Sequence, residues 1–280
     1  SKCKQVRRDI ITMVSKAGSG HPGGSLSCTE ALVALYFDVM NIDPANEKDP
    51  ERDRFVLSKG HAAPALYGTL CERGFFGREE FEKFRQLHGI LQGHPDVKKC
   101  PGVDASTGSL GHGVSIAAGT ALGARILNKD FLTYVVTGDG ELGEGSNWEA
   151  FMTMNHYELS NCIVFIDRNH CMIDGPTEEV MKLEPLADKM TAFGFNTIVV
   201  DGNNINALCE AIDAAIARSK EKCAPTCILM DTQKGAGIKE IAGDYHCHYM
   251  GIDDDTFNRF NAQLDEDYKV RVARAEKEGK

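Results

Sequence analysis

Short apolar segments alternate with segments of helical periodicity along most of the chain. An apolar run bounded by turn residues predicts a buried strand, and such runs cover residues 54–58, 132–137, 162–167, 196–201 and 226–231. Short buried strands that alternate with helices are typical of a parallel sheet with helices on both faces. The pattern therefore predicts an α/β fold with a doubly wound, mainly parallel sheet flanked by helices.

The segments between these strands repeat apolar residues at the spacing of an amphipathic helix. They predict helices over residues 4–17, 114–127, 147–157, 185–193 and 205–218, one after the loop at 59–61, and a final one after residue 253. Ser27 and Glu30 have the spacing of a capping box, which predicts a further helix over residues 27–40. Residues 19–25 and 86–112 are then loops, and a loop as long as the second is usually functional.

The length of the chain and its net charge limit the number of domains and the kinds of partner that we expect. A chain of 280 residues suits one α/β domain, so we expect a single domain over residues 1–280. Its 31 basic and 41 acidic residues give a net charge of −10, which argues against a nucleic-acid partner. No apolar run approaches the roughly 20 residues of a membrane span. Residues 1–8 lack the apolar stretch of a signal peptide. We therefore expect neither nucleic acid nor membrane as a partner.

The 10 cysteines do not form a disulfide or zinc pattern along the chain. They are scattered, no Cys-x-x-Cys occurs, and Cys162 and Cys227 lie within apolar strand segments. Buried free thiols behave as small apolar side chains. We expect reduced cysteines and a cytoplasmic protein.

Polar residues follow several of the predicted strands at the point where each strand ends. Asp139, Asp167 and Asp231 mark three of these ends, and His61 follows a fourth. In open α/β sheets, ligands bind outside the carboxyl ends of the strands. We therefore expect the chemistry of this protein at that edge of the sheet.

The loop after the second strand contains a familiar glycine pattern. Gly138, Gly140 and Gly143 follow a strand and precede a helix, as the dinucleotide-binding fingerprint requires. Asp167 ends the next strand, where an acid could bind a ribose. One alternative is therefore a nicotinamide-dependent (NAD) oxidoreductase that uses this loop.

The acidic residues of the same loop favour a metal site instead. Asp139 and Glu144 bring negative charge to the turn where a pyrophosphate would lie. Asp139 and Asn169 are hard oxygen ligands that, with a backbone carbonyl and two diphosphate oxygens, would supply five of the six positions of the octahedron that magnesium prefers. The metal would also neutralise the charge of Asp139. A purely structural alternative is that both side chains hold turns.

At this point the chain resembles the transketolase family. Gly138-Asp139-Gly140, followed one strand later by Asn169, is similar to the thiamine-diphosphate signature. Blocks at residues 19–24, 57–61, 93–95 and 108–113 match transketolase motifs in the same order. The resemblance extends to about residue 255 and covers the N-terminal, diphosphate-binding domain. It implies the thiamine-diphosphate-binding fold and, because the pyrimidine-binding and C-terminal domains are not in this sequence, one subunit of a split transketolase.

The resemblance implies thiamine diphosphate and Mg²⁺ as cofactors. It assigns the metal to the side chains of Asp139 and Asn169 and to the backbone oxygen of Cys171. The backbone amide of Gly140 would contact the diphosphate, which suits a residue without Cβ. His61 would lie beside the diphosphate and the thiazolium ring.

The resemblance also assigns two residues to the aminopyrimidine half of the cofactor. Gly108 and Leu110 would contact it through their backbones. The family usually has Pro where Ser109 stands and Gln where His112 stands. Backbone contacts tolerate such side-chain changes. Glu144 matches an acid at the subunit contact between cofactor sites, and its structural alternative is a favourable carboxylate at a helix start.

Histidines match the substrate-binding positions of the family. His21 and His94 each lie between Gly and Pro, and a neutral imidazole offers both a donor and an acceptor to sugar hydroxyls. Alternatively, both hold turns without a function. Near the last helix, His246 aligns best with a cofactor-site histidine, and His248 is the alternative. A zinc site of His246, Cys247 and His248 is a third interpretation, although the spacing is tight for one metal.

The implied reaction is the transfer of a two-carbon ketol unit from a ketose phosphate to an aldose phosphate. The candidate catalytic residues are His21, His61, His94 and His246. The family's activating glutamate and most sugar-phosphate ligands belong to the pyrimidine-binding and C-terminal domains. We therefore expect a second subunit that carries these domains, a two-plus-two assembly, and no activity from this chain alone. A non-catalytic subunit of the same fold is a further alternative.

Overall fold

The computed structural model describes residues 1–221 and 223–277. Its sheet contains five strands in the order β1-β2-β3-β5-β4, and every neighbouring pair is parallel. The strands are β1 (Arg54–Leu57), β2 (Thr133–Gly138), β3 (Cys162–Arg168), β4 (Asn196–Asp201) and β5 (Thr226–Asp231). The predicted strands are confirmed to within a residue at each end. Parallel strands place all their carboxyl ends at one edge.

Helices occupy the segments between the strands. They are α1 (Lys2–Ala17), α2 (Pro22–Ser27), α3 (Thr29–Ala34), α4 (Ala63–Arg73), α5 (His112–Ile126), α6 (Gly145–His156), α7 (Thr177–Val180), α8 (Leu186–Ala192), α9 (Ile205–Ser219) and α10 (Asp254–Lys277). Residues 84–111 contain neither helix nor strand, so the long loop predicted between α4 and α5 is present.

Alternate strand residues pack on opposite faces of the sheet, as the pleat requires. Phe55, Val136 and Phe165 belong to the core that includes α1, α3, α4, α9 and α10. Val135 and Val164 belong to a second core with α5, α6 and α8. Helices therefore cover both faces, which confirms the doubly wound architecture.

The capping box predicted at Ser27 and Glu30 is wrong. Ser27 is the last residue of α2, and its hydroxyl donates to Asp167 Oδ2 at 2.6 Å and lies 3.1 Å from Gly24 O. Glu30 forms a buried ion pair with Arg7 at 2.7 Å. Ser27 and Glu30 therefore bind Asp167 and Arg7, which are distant in the sequence, and do not cap a helix. Pro22, at the first position of α2, starts a helix inside the predicted loop because its fixed φ suits that position.

The remaining sequence expectations concern cysteines and membranes. All 10 cysteines are free thiols, and seven of them are buried. Among the described helices, none combines the length and the apolar character that crossing a bilayer requires.

Candidate active site

The carboxyl ends of β2 and β3, together with the loops that follow β1 and β5, line a cavity of about 250 Å³. Most of the predicted site residues line it, namely His21, His61, Gly108, Leu110, Asp139, Gly140, Asn169 and Cys171. A more open groove of about 870 Å³ lies along α10, and none of the predicted site residues lines it. The smaller cavity is therefore the candidate active site.

Two predicted residues lie beside this cavity and do not line it. The exposed imidazole of His94 has its centroid 6.4 Å from that of His21. Glu144 is exposed at the N-cap of α6 and packs against the backbone of Gly111. The structure thus brings the ring of His94 close to that of His21. The side chain of Glu144 is exposed to solvent instead.

The sequence preference for His246 over His248 disagrees with the geometry. The His246 side chain is 72% exposed, pairs with Asp244 at 2.7 Å and stacks on Tyr245. His248 lines the cavity, and its ring centroid lies 5.0 Å from that of His61. The two residues lie two positions apart in a 3-10 helix over Tyr245–His248. With three residues per turn, their side chains leave this helix in different directions. Among the described residues, no group of three His, Cys, Asp or Glu side chains is arranged to hold a metal ion, so the zinc interpretation finds no support.

Glu141 holds together the loops that form the cavity. This buried carboxylate accepts hydrogen bonds from Ser58 Oγ at 2.5 Å, Gly111 N at 2.9 Å, Thr137 Oγ1 at 2.8 Å and Gly138 N at 3.1 Å. These donors come from the end of β1, from the long loop and from the end of β2. Glu141 therefore fixes the position of the 108–111 backbone relative to the turn that carries Asp139.

Asp139 is buried at the start of the glycine-rich turn. Its Oδ1 accepts a hydrogen bond from Gly140 N at 2.8 Å, and its Oδ2 accepts one from His170 N at 2.8 Å. Arg168 Nη1 also donates to Oδ2 at 3.0 Å. Burial and the nearby charge of Asp167 raise the pKa of Asp139, and Arg168 opposes this shift. The carboxylate is thus held in one orientation at the cavity wall.

Asn169 is oriented by the residue two positions before it. Its Nδ2 donates to Asp167 Oδ2 at 3.2 Å, and its Oδ1 accepts from Cys171 N at 3.2 Å. Asp167 is itself fully buried, forms an ion pair with Lys59 and accepts a hydrogen bond from Ser27. Burial raises the pKa of Asp167, but the ammonium of Lys59 outweighs this effect and holds the pKa below its ordinary range. A carboxylate committed to these partners cannot bind a ribose, which counts against the NAD alternative.

The donor set at this wall fits a hard divalent cation. It comprises the carboxylate of Asp139, the carboxamide of Asn169 and the backbone carbonyl of Cys171, on the loops after β2 and β3. Magnesium prefers oxygen ligands of this kind and usually shares them with substrate phosphates. The residues present therefore match the magnesium site expected from the sequence.

Lys234 is a cavity residue that the sequence interpretation missed. Its buried Nζ donates to Cys171 O at 3.3 Å and to Met172 O at 3.1 Å, and lies 3.2 Å from His248 Nδ1. Burial and the charge of Lys59 lower the pKa of Lys234. The hydrogen-bond partners of this cation are all neutral, so an anion beside it, such as a diphosphate, would be favourable. Its position just after β5 was the available sequence signal, since the other site residues also follow strand ends.

The cavity histidines form a cluster of neutral rings. The centroid of His21 lies 5.3 Å from that of His61 and 5.3 Å from that of His248. Burial and Arg85 lower the pKa of His21 to about 4, and burial and Lys234 lower the pKa of His248 to about 3. Burial and Lys59 hold the pKa of His61 well below 6.5. At neutral pH each ring therefore offers one donor and one acceptor.

These shifts predict a loss of stability in acid. The ordinary histidine pKa is 6.5, so as the pH falls the unfolded chain binds protons before folded His21 and His248 do. The free energy of unfolding should therefore decrease between pH 6.5 and about 4. In urea denaturation across this range, His21→Gln and His248→Gln should each weaken the decrease. His246→Gln is the control at an exposed ring. Equal slopes in all variants would contradict the prediction.

Comparison with known proteins identifies a family model and relatives that this chain matches. Residues 2–275 match the family model described as "Transketolase, thiamine diphosphate binding domain". The chain is 42% identical over 243 residues to a protein of Phocaeicola vulgatus that is named as one subunit of an apulose-4-phosphate transketolase, covering 87% of this chain and 85% of that protein. It is 40% identical over 274 residues to 6-deoxy-6-sulfo-D-fructose transketolase subunit SqwG of a Clostridium species, covering 98% of this chain and 94% of that protein.

Solved structures of transketolases superpose on this chain. A transketolase from Pichia stipitis superposes with a TM-score of 0.84 at 30% identity, covering 98% of this chain and 45% of that chain. A transketolase from Leishmania mexicana has a TM-score of 0.84 at 28% identity, with coverage of 98% and 46%. The chain therefore spans less than half the length of these solved relatives.

Proposed function

Because the chain belongs to the transketolase family, as a thiamine diphosphate binding domain, we propose that it is the cofactor-binding subunit of a two-chain transketolase. The family binds thiamine diphosphate with a divalent metal such as Mg²⁺. The observation that carries the proposal is the convergence of Asp139, Asn169, the Cys171 carbonyl and Lys234 on one cavity. This set combines metal ligands with a cation for the diphosphate.

The proposal assigns the metal, the diphosphate and the aminopyrimidine to different residues of the cavity. Asp139, Asn169 and the backbone oxygen of Cys171 would hold the metal, and Lys234 and the Gly140 amide would bind the diphosphate. Thiamine diphosphate, when bound, supplies the nucleophilic carbon of its thiazolium ring. The backbones of Gly108 and Leu110 would contact the aminopyrimidine.

The histidines would act on substrate and cofactor. His21, His61 and His248 are close enough to form one hydrogen-bonding surface, and His94 extends it toward the exposed side. Neutral imidazoles can donate hydrogen bonds to sugar hydroxyls and accept hydrogen bonds from them. They can also transfer protons to and from these hydroxyls. We propose His248, in place of His246, as the fourth histidine of this set, because His248 lines the cavity.

A second subunit is part of the proposal. The chain covers 85% of one relative and 94% of another, and each of these is named as one subunit of a transketolase. We propose that the partner carries the pyrimidine-binding and C-terminal domains and that the two chains form a two-plus-two assembly in the cytoplasm. The chain alone would then bind cofactor and lack transferase activity. Glu144, exposed at the start of α6, would lie at a contact between subunits.

The substrates are proposed to be an anionic ketose donor and an aldose phosphate acceptor. One relative is named for apulose 4-phosphate and another for 6-deoxy-6-sulfo-D-fructose, which are both anionic sugars. The solved Pichia stipitis protein is described in complex with xylulose 5-phosphate. These names support a two-carbon ketol transfer from a sugar of the same charge class. A non-catalytic subunit is less well supported, because the metal ligands and the histidine cluster are all retained.

Calorimetry of the purified chain tests the proposal. Thiamine diphosphate is titrated with Mg²⁺ and with a chelator, and a reduced nicotinamide nucleotide is titrated in parallel. We expect heat of binding that requires Mg²⁺, because the metal ligands and the diphosphate-binding lysine all belong to this chain. Binding of the nicotinamide nucleotide without metal, with none for thiamine diphosphate, would favour the oxidoreductase alternative instead.

A further inference from the structure

Arg168 occupies an unusual place for an arginine, at the last position of the central strand β3. It lies between Asp167 and the proposed metal ligand Asn169, and its side chain is only 4% exposed. Successive strand residues point to opposite faces of a sheet. Asp167 accordingly turns toward Lys59, whereas Arg168 turns toward Asp139. Arg168 is thus a buried cation in direct contact with a proposed metal ligand.

The hydrogen bonds of Asp139 leave one of its oxygens with spare capacity. Oδ2 accepts from both Arg168 Nη1 at 3.0 Å and His170 N at 2.8 Å, whereas Oδ1 accepts from Gly140 N alone at 2.8 Å. An ionised carboxylate offers about four lone-pair sites on its two oxygens. Oδ2 is therefore saturated, and Oδ1 retains a site for a cation.

Arg168 is itself held by groups on the other side of its guanidinium. Nη1 also donates to Thr177 Oγ1, Nη2 donates to Glu178 Oε1 at 3.0 Å, and Nε donates to Glu184 Oε1 at 3.1 Å. A planar guanidinium with several fixed partners has little rotational freedom left. The segment from α7 to the start of α8 therefore contributes three acceptors to Arg168. The hydrogen bond from Arg168 to Asp139 is a separate contact.

We propose that Arg168 is a positioning residue for the cofactor metal, which orients Asp139 so that Oδ1 alone faces the cation. The role rests on the proposed cofactor site and adds to it a residue outside the metal's own ligand set. The guanidinium occupies the oxygen that would otherwise allow the carboxylate to rotate or to bind the metal through both oxygens. Partners of metal ligands in other proteins commonly change metal affinity by about 10–100-fold when they are removed.

The test measures the affinity for Mg²⁺ in the presence of thiamine diphosphate by calorimetry. Arg168→Gln, which removes the charge and the fork, should raise the apparent Kd for Mg²⁺ by about 10–100-fold. Arg168→Lys, which keeps a cation without the fork, should raise it by a smaller factor. Glu178→Gln and Glu184→Gln are matched controls, because each disturbs Arg168 and leaves its contact with Asp139. Their side chains are partly exposed, so we expect a change of less than about fivefold.

The possible outcomes separate this role from the proposed function. Unchanged Mg²⁺ affinity in both Arg168 variants, with normal binding by the wild-type chain, would overturn the role of Arg168 alone. Losses in the Glu178 and Glu184 variants as large as that of Arg168→Gln would also overturn it, since the effect would then not depend on the contact between Arg168 and Asp139. Absence of metal-dependent binding by the wild-type chain would overturn the cofactor site and this role together. If Arg168→Gln does not fold, Arg168→Lys decides.

Discussion

Asp139→Ala should abolish the magnesium-dependent binding of thiamine diphosphate by this chain. Asp139 contributes the carboxylate of the proposed ligand set, and the other two members, Asn169 and the Cys171 carbonyl, are neutral oxygens. Removal of a partner of a metal ligand already costs about 10–100-fold in affinity, so loss of the charged ligand should cost more than about 100-fold. Calorimetry with Mg²⁺ and the cofactor measures this loss directly.

Asp231→Ala is the matched control for this experiment. Asp231 also ends a strand at the same edge of the sheet, but its side chain is 67% exposed and pairs with His170 at 2.6 Å. It does not line the cavity. We expect the Asp231 variant to bind as the wild-type chain does. Retention of normal magnesium-dependent binding by Asp139→Ala would contradict the proposed metal site.

The sheet and the edge that carries the site could be predicted from the sequence because both depend on local patterns. A strand that is buried on both faces of a parallel sheet is apolar along nearly its whole length, and residues 162–166 and 227–230 have this character. Polar residues that interrupt such a segment at its end must then lie at the carboxyl edge. For this reason Asp139, Asn169 and His61 could be assigned to one site before their contacts were known.

The contacts that the sequence analysis missed join residues far apart in the chain. Ser27 and Glu30 have the spacing of a helix cap, but Asp167 and Arg7 provide stronger partners, and nothing local reveals them. Lys234 follows β5 without a recognisable motif. Its role becomes visible only where the fold brings it against the Cys171 carbonyl.

The choice between His246 and His248 depends on which way each side chain leaves the short 3-10 helix Tyr245–His248. Asp244 accepts hydrogen bonds from the backbone and the ring of His246, which holds that ring in solvent. Cys247 is buried against Gly23, where a Cβ would come within 2.5 Å of its sulfur. With Cys247 anchored inward at this point, the chain directs His248 toward the cavity. Alignment by spacing cannot detect this anchor, since both histidines flank the same cysteine.

Asp167→Asn should be the most destabilising conservative change near the site. Asp167 and Lys59 are 0% and 1% exposed, and Ser27, Asn169 and Thr232 also donate to the same carboxylate. The substitution leaves the ammonium of Lys59 buried without its counter-charge. Removing one partner of a buried ion pair typically costs about 3–5 kcal/mol. Urea denaturation should show a decrease of this size in the free energy of unfolding.

A double-mutant cycle identifies the cause of this loss. Combining Asp167→Asn with Lys59→Met removes both charges, so the double variant should be more stable than the sum of the two single losses implies. Glu51→Gln is the control, because it breaks a pair with Lys129 in which both side chains are partly exposed to solvent, and it should change stability little. Losses that simply add would contradict the prediction, because the buried pair would then not be coupled. A positive coupling would mean that Lys59 is held beneath the cavity by Asp167, whose carboxylate also orients Asn169 toward the proposed metal.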